Sequence, residues 1–206
     1  MNKAQRVAVQ RDNPHGHTRI VFAHGAGAGL QSDFMQFMAL GLALQGFDVV
    51  RFNFPYLQQF MESGRRRPPN PMAVLEHTMT TVIEQFDDAK PLLVMGKSMG
   101  ARVAFRIADQ VAAKHAVALG FPFHPVGKPD QLRVTDLANH CASNLIVQGT
   151  RDSFGKPDEV AGYSLPDNVQ MRWIDGGDHS FEATKRSGLV REHMWQQAID
   201  AIIESI

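Results

Sequence analysis

One cysteine in 206 residues, Cys141, leaves no partner for an internal disulfide and no set of thiolates for a multi-cysteine zinc site. Its expected place is as a small buried side chain. Charge of one sign is missing too, because 21 Lys+Arg balance 21 Asp+Glu. No bulk field therefore attracts nucleic acid or an anionic membrane, and neither is expected as a partner. Nine histidines can move the net charge just below neutrality. Long apolar runs are also lacking: none approaches the roughly 18 residues of a spanning helix. Residues 1–17 lack the apolar core of a signal peptide. A soluble, cytoplasmic protein is expected. Repeats, linkers and low-complexity segments do not occur. With 44% apolar residues, the chain has material for one core, read as a single domain over 1–206.

The stretch around which the rest is arranged is Gly96-Lys97-Ser98-Met99-Gly100. It follows the apolar run Pro91-Leu92-Leu93-Val94-Met95 and precedes a helical pattern from Ala101 to Val111. Gly-x-Ser-x-Gly between strand and helix is the pattern of a nucleophile elbow. Small residues two positions either side let a sharp turn present the serine Oγ. Lys97 reads as a packing or surface residue of that turn. Upstream, the strand Thr18 to Ala23 runs into His24-Gly25-Ala26-Gly27-Ala28-Gly29. A dinucleotide phosphate loop would need Gly-x-Gly-x-x-Gly and an acidic residue ending the next strand. Here the spacing is Gly-x-Gly-x-Gly, and that strand, Phe47 to Phe54, ends in Arg51-Phe52-Asn53. The better reading is an oxyanion loop ahead of a first helix.

Arg6 to Gln10 alternates weakly, as a short edge strand. The turn-forming run Asp12 to His17 should join it to the next strand as a hairpin. His15 and His17 lack a third ligand at matching spacing and read as solvated turn residues rather than a metal site. Ser32 can cap a helix from Asp33 to about Gln45, with Phe34, Phe37, Met38, Gly41 and Leu44 on one face and Gly46 as the stop. Asn53-Phe54-Pro55-Tyr56 is an aromatic loop leaving a strand's C-terminal end, placed for packing or for substrate contact. Arg65-Arg66-Arg67 reads as a solvated loop, with recognition of an anionic substrate or partner as the minority reading. Asn70 as N-cap and Pro71 at the first helical position open a helix that buries Leu75, Met79, Val82, Ile83 and Phe86. Lys114 to Gly120, Asn144 to Gly149 and Val169 to Ile174 are strands. A closing helix, Gly188 to Ser205, buries Trp195, Ala198, Ile199, Ile202 and Ile206. About twenty residues separate Gly120 from His140, too few for a separate lid domain. Strands alternating with helices from Thr18 onward argue an α/β fold, a parallel sheet covered on both faces.

Ser98, Asp152 and His179 each fall just past the C-terminal end of a strand, in the order Ser…Asp…His found in α/β-hydrolases. Serine is a poor nucleophile until a base takes its proton. Histidine titrates near neutrality and can take and return that proton, and a carboxylate fixes its tautomer. Asp175 and Asp178 are rival acids beside His179 in sequence, with Asp158 a more distant one. His24, His115, His124, His140 and His193 are rival bases. His179 alone lies in the loop after the last strand.

On these motifs the chain resembles compact α/β-hydrolases related to dienelactone hydrolase. It resembles more closely the small bacterial family grouped with a testis-expressed protein and a subunit of a histone acetyltransferase complex. The stretches that carry the resemblance are residues 22–29, 50–56, 67–69, 96–102, 120–125, 148–152 and 178–181. A second glycine often follows the elbow in that group; Ala101 stands there instead. The resemblance implies a mostly parallel twisted sheet of about seven strands, helices on both faces and no separate lid domain. It also implies Ser98, Asp152 and His179 in the triad positions. The mechanism it implies is acyl transfer to water through an acyl-enzyme, with a small-molecule acyl substrate and no metal or organic cofactor. The oxyanion would sit between the backbone N–H groups of Met99 and of Ala26 or Gly27. Phe54, Tyr56, Phe123, His124 and Phe154 are candidates for the substrate pocket. A non-catalytic binding partner on the same fold, or an acyltransferase, is the alternative function.

Overall fold

Seven strands form one sheet in the computed structural model, which describes residues 7–86, 88–184 and 186–206. In chain order the strands are β1 (Val9–Asp12), β2 (Thr18–Ala23), β3 (Phe47–Phe52), β4 (Leu92–Lys97), β5 (His115–Leu119), β6 (Ser143–Gly149) and β7 (Val169–Ile174). Their order across the sheet is β1-β3-β2-β4-β5-β6-β7. The β1–β3 pair is antiparallel and all the others are parallel. From β2 the chain steps one way to β3, then returns past β2 to β4. The loops leaving β2 and β4 therefore diverge and open a crevice at the C-terminal edge, where open α/β sheets bind ligands.

The helices are α1 (Asp33–Leu44), α2 (Pro55–Ser63), α3 (Met72–Glu84), α4 (Met99–Ile107), the single turn α5 (Pro157–Val160) and α6 (Arg191–Ile203). The apolar residues separate into two clusters, one on each face of the sheet. α1 and α6 bury Met35, Met38, Leu42, Met194, Trp195 and Ile199 against Ile20, Phe22, Leu93 and Val117. On the other face Leu75, Met79, Val103 and Phe105 of α3 and α4 meet Val21, Val50, Val94 and Ile146. Adjacent strand residues such as Ile20 and Val21 thus serve opposite faces, as a fully buried parallel sheet requires. Between β5 and β6 the chain makes turns and one 3-10 turn at Val134–Leu137, and no separate lid stands over the crevice among the described residues.

Several expectations are corrected. The run 12–17 is not a hairpin, because β1 pairs with β3 rather than β2. The Asn13 side chain donates to the carbonyls of Ala43 and Phe47, and the His17 amide donates to Gly46. These bonds carry the turn across the start of β3 and place β2 beyond it. Arg6 lies outside the described residues. α1 turns Met35, Met38, Ala39 and Leu42 inward, while Leu44 is 86% exposed. Phe34 and Phe37 instead meet Trp195 edge-on, at 5.4 Å each. The aromatic segment 53–56 is the start of α2, with Pro55 at its first position and left-handed Gly64 closing it. α3 begins one residue later than expected: Pro71 is its N-cap, and the Asn70 side chain accepts from the Tyr56 amide at 2.8 Å instead. Ile83 and Phe86 are partly buried at the edge of the core. Ile206, past the end of α6, is 37% exposed.

Candidate active site

β4 ends in Lys97 and α4 begins at Met99, so Ser98 alone makes the turn. It does so at φ 52, ψ −111, a conformation that costs a non-glycine residue about 1–3 kcal/mol. The flanking glycines make the turn sterically possible. A Cβ on Gly96 would lie 2.1 Å from the Gly100 carbonyl carbon, and one on Gly100 would lie 2.5 Å from the Ala23 carbonyl oxygen. Any side chain at either position would drive the serine off its perch.

Across the turn, His179 Nε2 stands 2.8 Å from Ser98 Oγ, and its Nδ1 stands 2.7 Å from Asp152 Oδ2. A carboxylate can only accept, so Nδ1 carries the proton and Nε2 is left to accept from the serine hydroxyl. Asp152 is fully buried. Its Oδ1 takes the Phe154 amide at 2.9 Å, and its Oδ2 takes Gln148 Nε2 at 2.9 Å as well as the imidazole. Gln148 is itself clamped between the amide and carbonyl of Phe121. It positions the acid, and its signal was a polar residue straight after the apolar run Leu145-Ile146-Val147. Asp178 faces the other way: it accepts the Ser180 and Glu182 amides and so shapes the loop that carries His179. Asp175 accepts from the Thr150 hydroxyl.

Burial pushes the His179 pKa down, and the nearby Lys97 ammonium pushes it further, against the opposing pull of Asp152. Lys97 corrects the sequence reading. It lines the central cavity, its ammonium 5.9 Å from the Phe181 ring centroid, and burial lowers its pKa to about 8 against the attraction of Asp152 and Asp178. Sequence offered no signal for this, since a lysine at that position of a turn can point either way.

The glycine loop after β2 packs against the elbow, with a Cβ on Gly25 lying 3.6 Å from Ser98 Cβ. Four buried side chains hold it. His24 accepts the Phe54 amide at Nε2 and donates from Nδ1 to the Gly25 carbonyl; burial lowers its pKa to about 4, so it stays neutral. Asn53 accepts from the Leu30 amide, and Arg51 donates to the Leu30 carbonyl. The Tyr56 hydroxyl donates to the Ala26 carbonyl at 2.9 Å. Met99 opens α4, where first-turn amides have no acceptor within the helix.

A cavity of about 710 Å³ opens over Ser98 and His179. Loop residues Gly25 to Ala28 form one side, and Phe34 and Trp195 form another. Phe154 lines it as expected, its ring 4.3 Å from that of His179. The other pocket candidates lie elsewhere. Phe54 is buried edge-on against Phe52 and His24, at 5.1 and 4.9 Å. Phe123 packs on Phe121 and Tyr163. His124 is buried, with Nδ1 2.9 Å from the Pro125 carbonyl and Nε2 3.8 Å from Glu159. These rings turn back into the core because an aromatic side chain hides a large area there. Tyr56 reaches a separate, smaller cavity. Phe34, Asp33, Glu182, Arg191 and Trp195 line the central cavity without having been singled out for it, since α1 and α6 meet there only through the fold. Among the described residues, no group of three or more His, Cys, Asp or Glu could hold a metal. Cys141 is buried, donates to the Ala113 carbonyl, and has its thiol pKa pushed up to about 11.

A family model for the alpha/beta hydrolase domain matches residues 16–206. The chain belongs to that family. No curated protein matches it in sequence. In structure this α/β hydrolase is similar to an α/β serine hydrolase without a lid from Xanthomonas campestris, with TM-score 0.71 and 18% identity over 97% of this chain and 86% of that one. It is also similar to a monoacylglycerol lipase from Paleococcus ferrophilus, with TM-score 0.70 and 13% identity over 98% and 100%. A third likeness is to Est1E from Butyrivibrio proteoclasticus, solved with ferulic acid bound, with TM-score 0.66 and 16% identity over 96% of each chain. At these identities the likeness is one of fold. No helix among the described residues is long and apolar enough to cross a membrane.

Proposed function

We infer that this α/β hydrolase cleaves an ester or related acyl bond through a covalent acyl-serine. The observation that carries the reading is the continuous hydrogen-bond chain from Ser98 Oγ through His179 to buried Asp152, at the floor of an open cavity. Ser98 Oγ bonds to the substrate carbonyl carbon while His179 Nε2 takes its proton. The carbonyl π electrons move onto oxygen, which sits between the Met99 and Ala26 amides. Each such preorganised donor is worth about 3–4 kcal/mol. The tetrahedral intermediate collapses, the bond to the alcohol breaks, and His179 returns the proton to the departing oxygen. Water then repeats the sequence on the acyl-enzyme. Asp152 keeps its hydrogen bond to Nδ1 and stabilises the imidazolium. The motif resemblance to compact dienelactone-hydrolase-like proteins supports the same reading, as do the serine hydrolase and the lipase among the structural neighbours.

A fluorophosphonate probe tests it. Folded protein should label once, at Ser98, and Ser98→Ala should not label at all. Unlabelled native protein of normal secondary structure would discard the catalytic reading in favour of a binding role.

A further inference from the structure

Ala26 and Gly27 line a second cavity as well as the one over Ser98. This side cavity has a volume of about 250 Å³, with Tyr56, Leu57 and Phe60 of α2 as its apolar wall and Arg66 and Arg67 completing it. The Arg66 guanidinium stands 5.6 Å from the Phe60 ring centroid. Arg11, Arg19, Arg51, Arg102, Arg106 and Arg191 are all engaged with carboxylates, while Arg133 and Arg151 donate to backbone carbonyls. Among the described residues, no carboxylate forms an ion pair with Arg65, Arg66 or Arg67. In a chain of zero formal net charge, that leaves one locally uncompensated basic cluster beside a cavity.

The arginine loop is tied to the catalytic region through one residue. The Tyr56 amide donates to the Asn70 side chain, which anchors the loop's far end at 2.8 Å, and the Tyr56 hydroxyl holds the Ala26 carbonyl. Gly64, left-handed and bonded to the Phe60 carbonyl, anchors the near end. Pro68 and Pro69 limit the freedom of what lies between. Two guanidiniums are thus presented on a braced segment, next to the loop that would hold the oxyanion.

We propose that the side cavity is a subsite for an anionic group, a carboxylate or a phosphate, carried on the acyl substrate beside an apolar or aromatic portion; this rests on the ester-hydrolase reading above. The guanidinium forks supply donors that match either oxyanion, and the apolar wall takes the ring or chain that bears it. Substrates with that charge are held with the scissile carbonyl near Ser98, while neutral analogues forgo the contact.

The test compares phenyl acetates bearing a ring carboxylate, a ring phosphate or a ring methyl ester. Native protein should favour at least one anionic ester over the methyl ester by about tenfold in kcat/KM, and added salt should reduce the preference. In Arg66→Gln/Arg67→Gln the ratio of anionic to neutral ester should fall to about one. Whichever anion shows the larger fall identifies the group. Equal turnover of charged and neutral esters by native protein, or a ratio unaltered in the double variant, overturns the subsite. If all three esters are inert, the hydrolase reading has failed separately. Calorimetric binding of benzoate and phenyl phosphate then decides: weakening by about tenfold or more in the double variant supports the subsite, and absent or unaltered binding overturns it.

Discussion

The two ends of the sheet both concentrate charge, and they use it in opposite ways. At the N-terminal ends of the strands, fully buried Asp48 receives Arg11, Arg19 and Lys90, and Arg19 also reaches Asp88. Burial alone would raise the Asp48 pKa, but the three cationic donors outweigh it and hold the carboxyl well below the usual range. At the C-terminal ends, buried Asp152 receives one imidazole, one amide side chain and one backbone amide, and the imidazole passes the chain on to a serine that faces a cavity. The first carboxylate is saturated by cations and can do nothing further. The second orients a neutral base whose other nitrogen is aimed at a hydroxyl. A buried carboxylate can therefore serve a site only where its partner has an open side.

The largest expected contrast is in activity. Asp152→Asn should lower kcat/KM for short-chain esters by about 10³–10⁴, because the amide cannot hold the required tautomer. Asp178→Asn, which loosens the loop amides and removes a charge that acts on His179 only from a distance, should cost far less; a reversal of that order in steady-state assays would reassign the acid. The other end of the sheet should answer in stability. Asp48→Asn removes the buried one of Arg19's two charge partners and should cost about 3 kcal/mol in urea unfolding, with little change in kcat among molecules that remain folded. The sign follows from the lowered folded-state pKa: the Asp48 contribution is whole above its unfolded pKa of 3.8 and is lost as pH falls through the lower folded value. The smallest effect sharpens the role of Lys97. His179 must be neutral to accept a proton, and the Lys97 charge helps keep it so. Lys97→Met should therefore move the acid limb of the pH–kcat/KM profile to higher pH, and a limb that stays put or moves lower would remove Lys97 from the electrostatics of the base.

Much of this was readable from the chain alone. β7 spans the residues read for it, and Ser32 caps α1 with its hydroxyl. The family match bears out the α/β hydrolase fold. The closing helix α6 needed only a trim at each end, since its repeat of buried positions is a local property of the chain. α2 was passed over although Pro55 and Gly64 bracket it, because the aromatic residues around Pro55 looked like a loop. The error at 12–17 has a different origin. A turn-forming run says that the chain reverses, but not which strand edge is free to receive it, and β1 found that edge on β3.

Ser98, Asp152 and His179 could be named from the chain because each sits where a strand gives way to a turn or loop, and such boundaries leave local marks in glycine and in hydrophobic period. The placement of Phe54, Phe123 and His124 in the core, of Phe154 over the imidazole, and of Lys97 in the cavity left no such mark. A side chain at the end of a strand has two directions open to it, and the choice depends on which neighbouring loops offer apolar area. Those neighbours come from other segments of the chain, as Phe181 comes to Lys97 and as α6 brings Trp195 to Phe34. The residues of the candidate site were therefore legible in their order along the chain, while the shape of the space around them was set by contacts that exist only once the sheet and its helices have assembled.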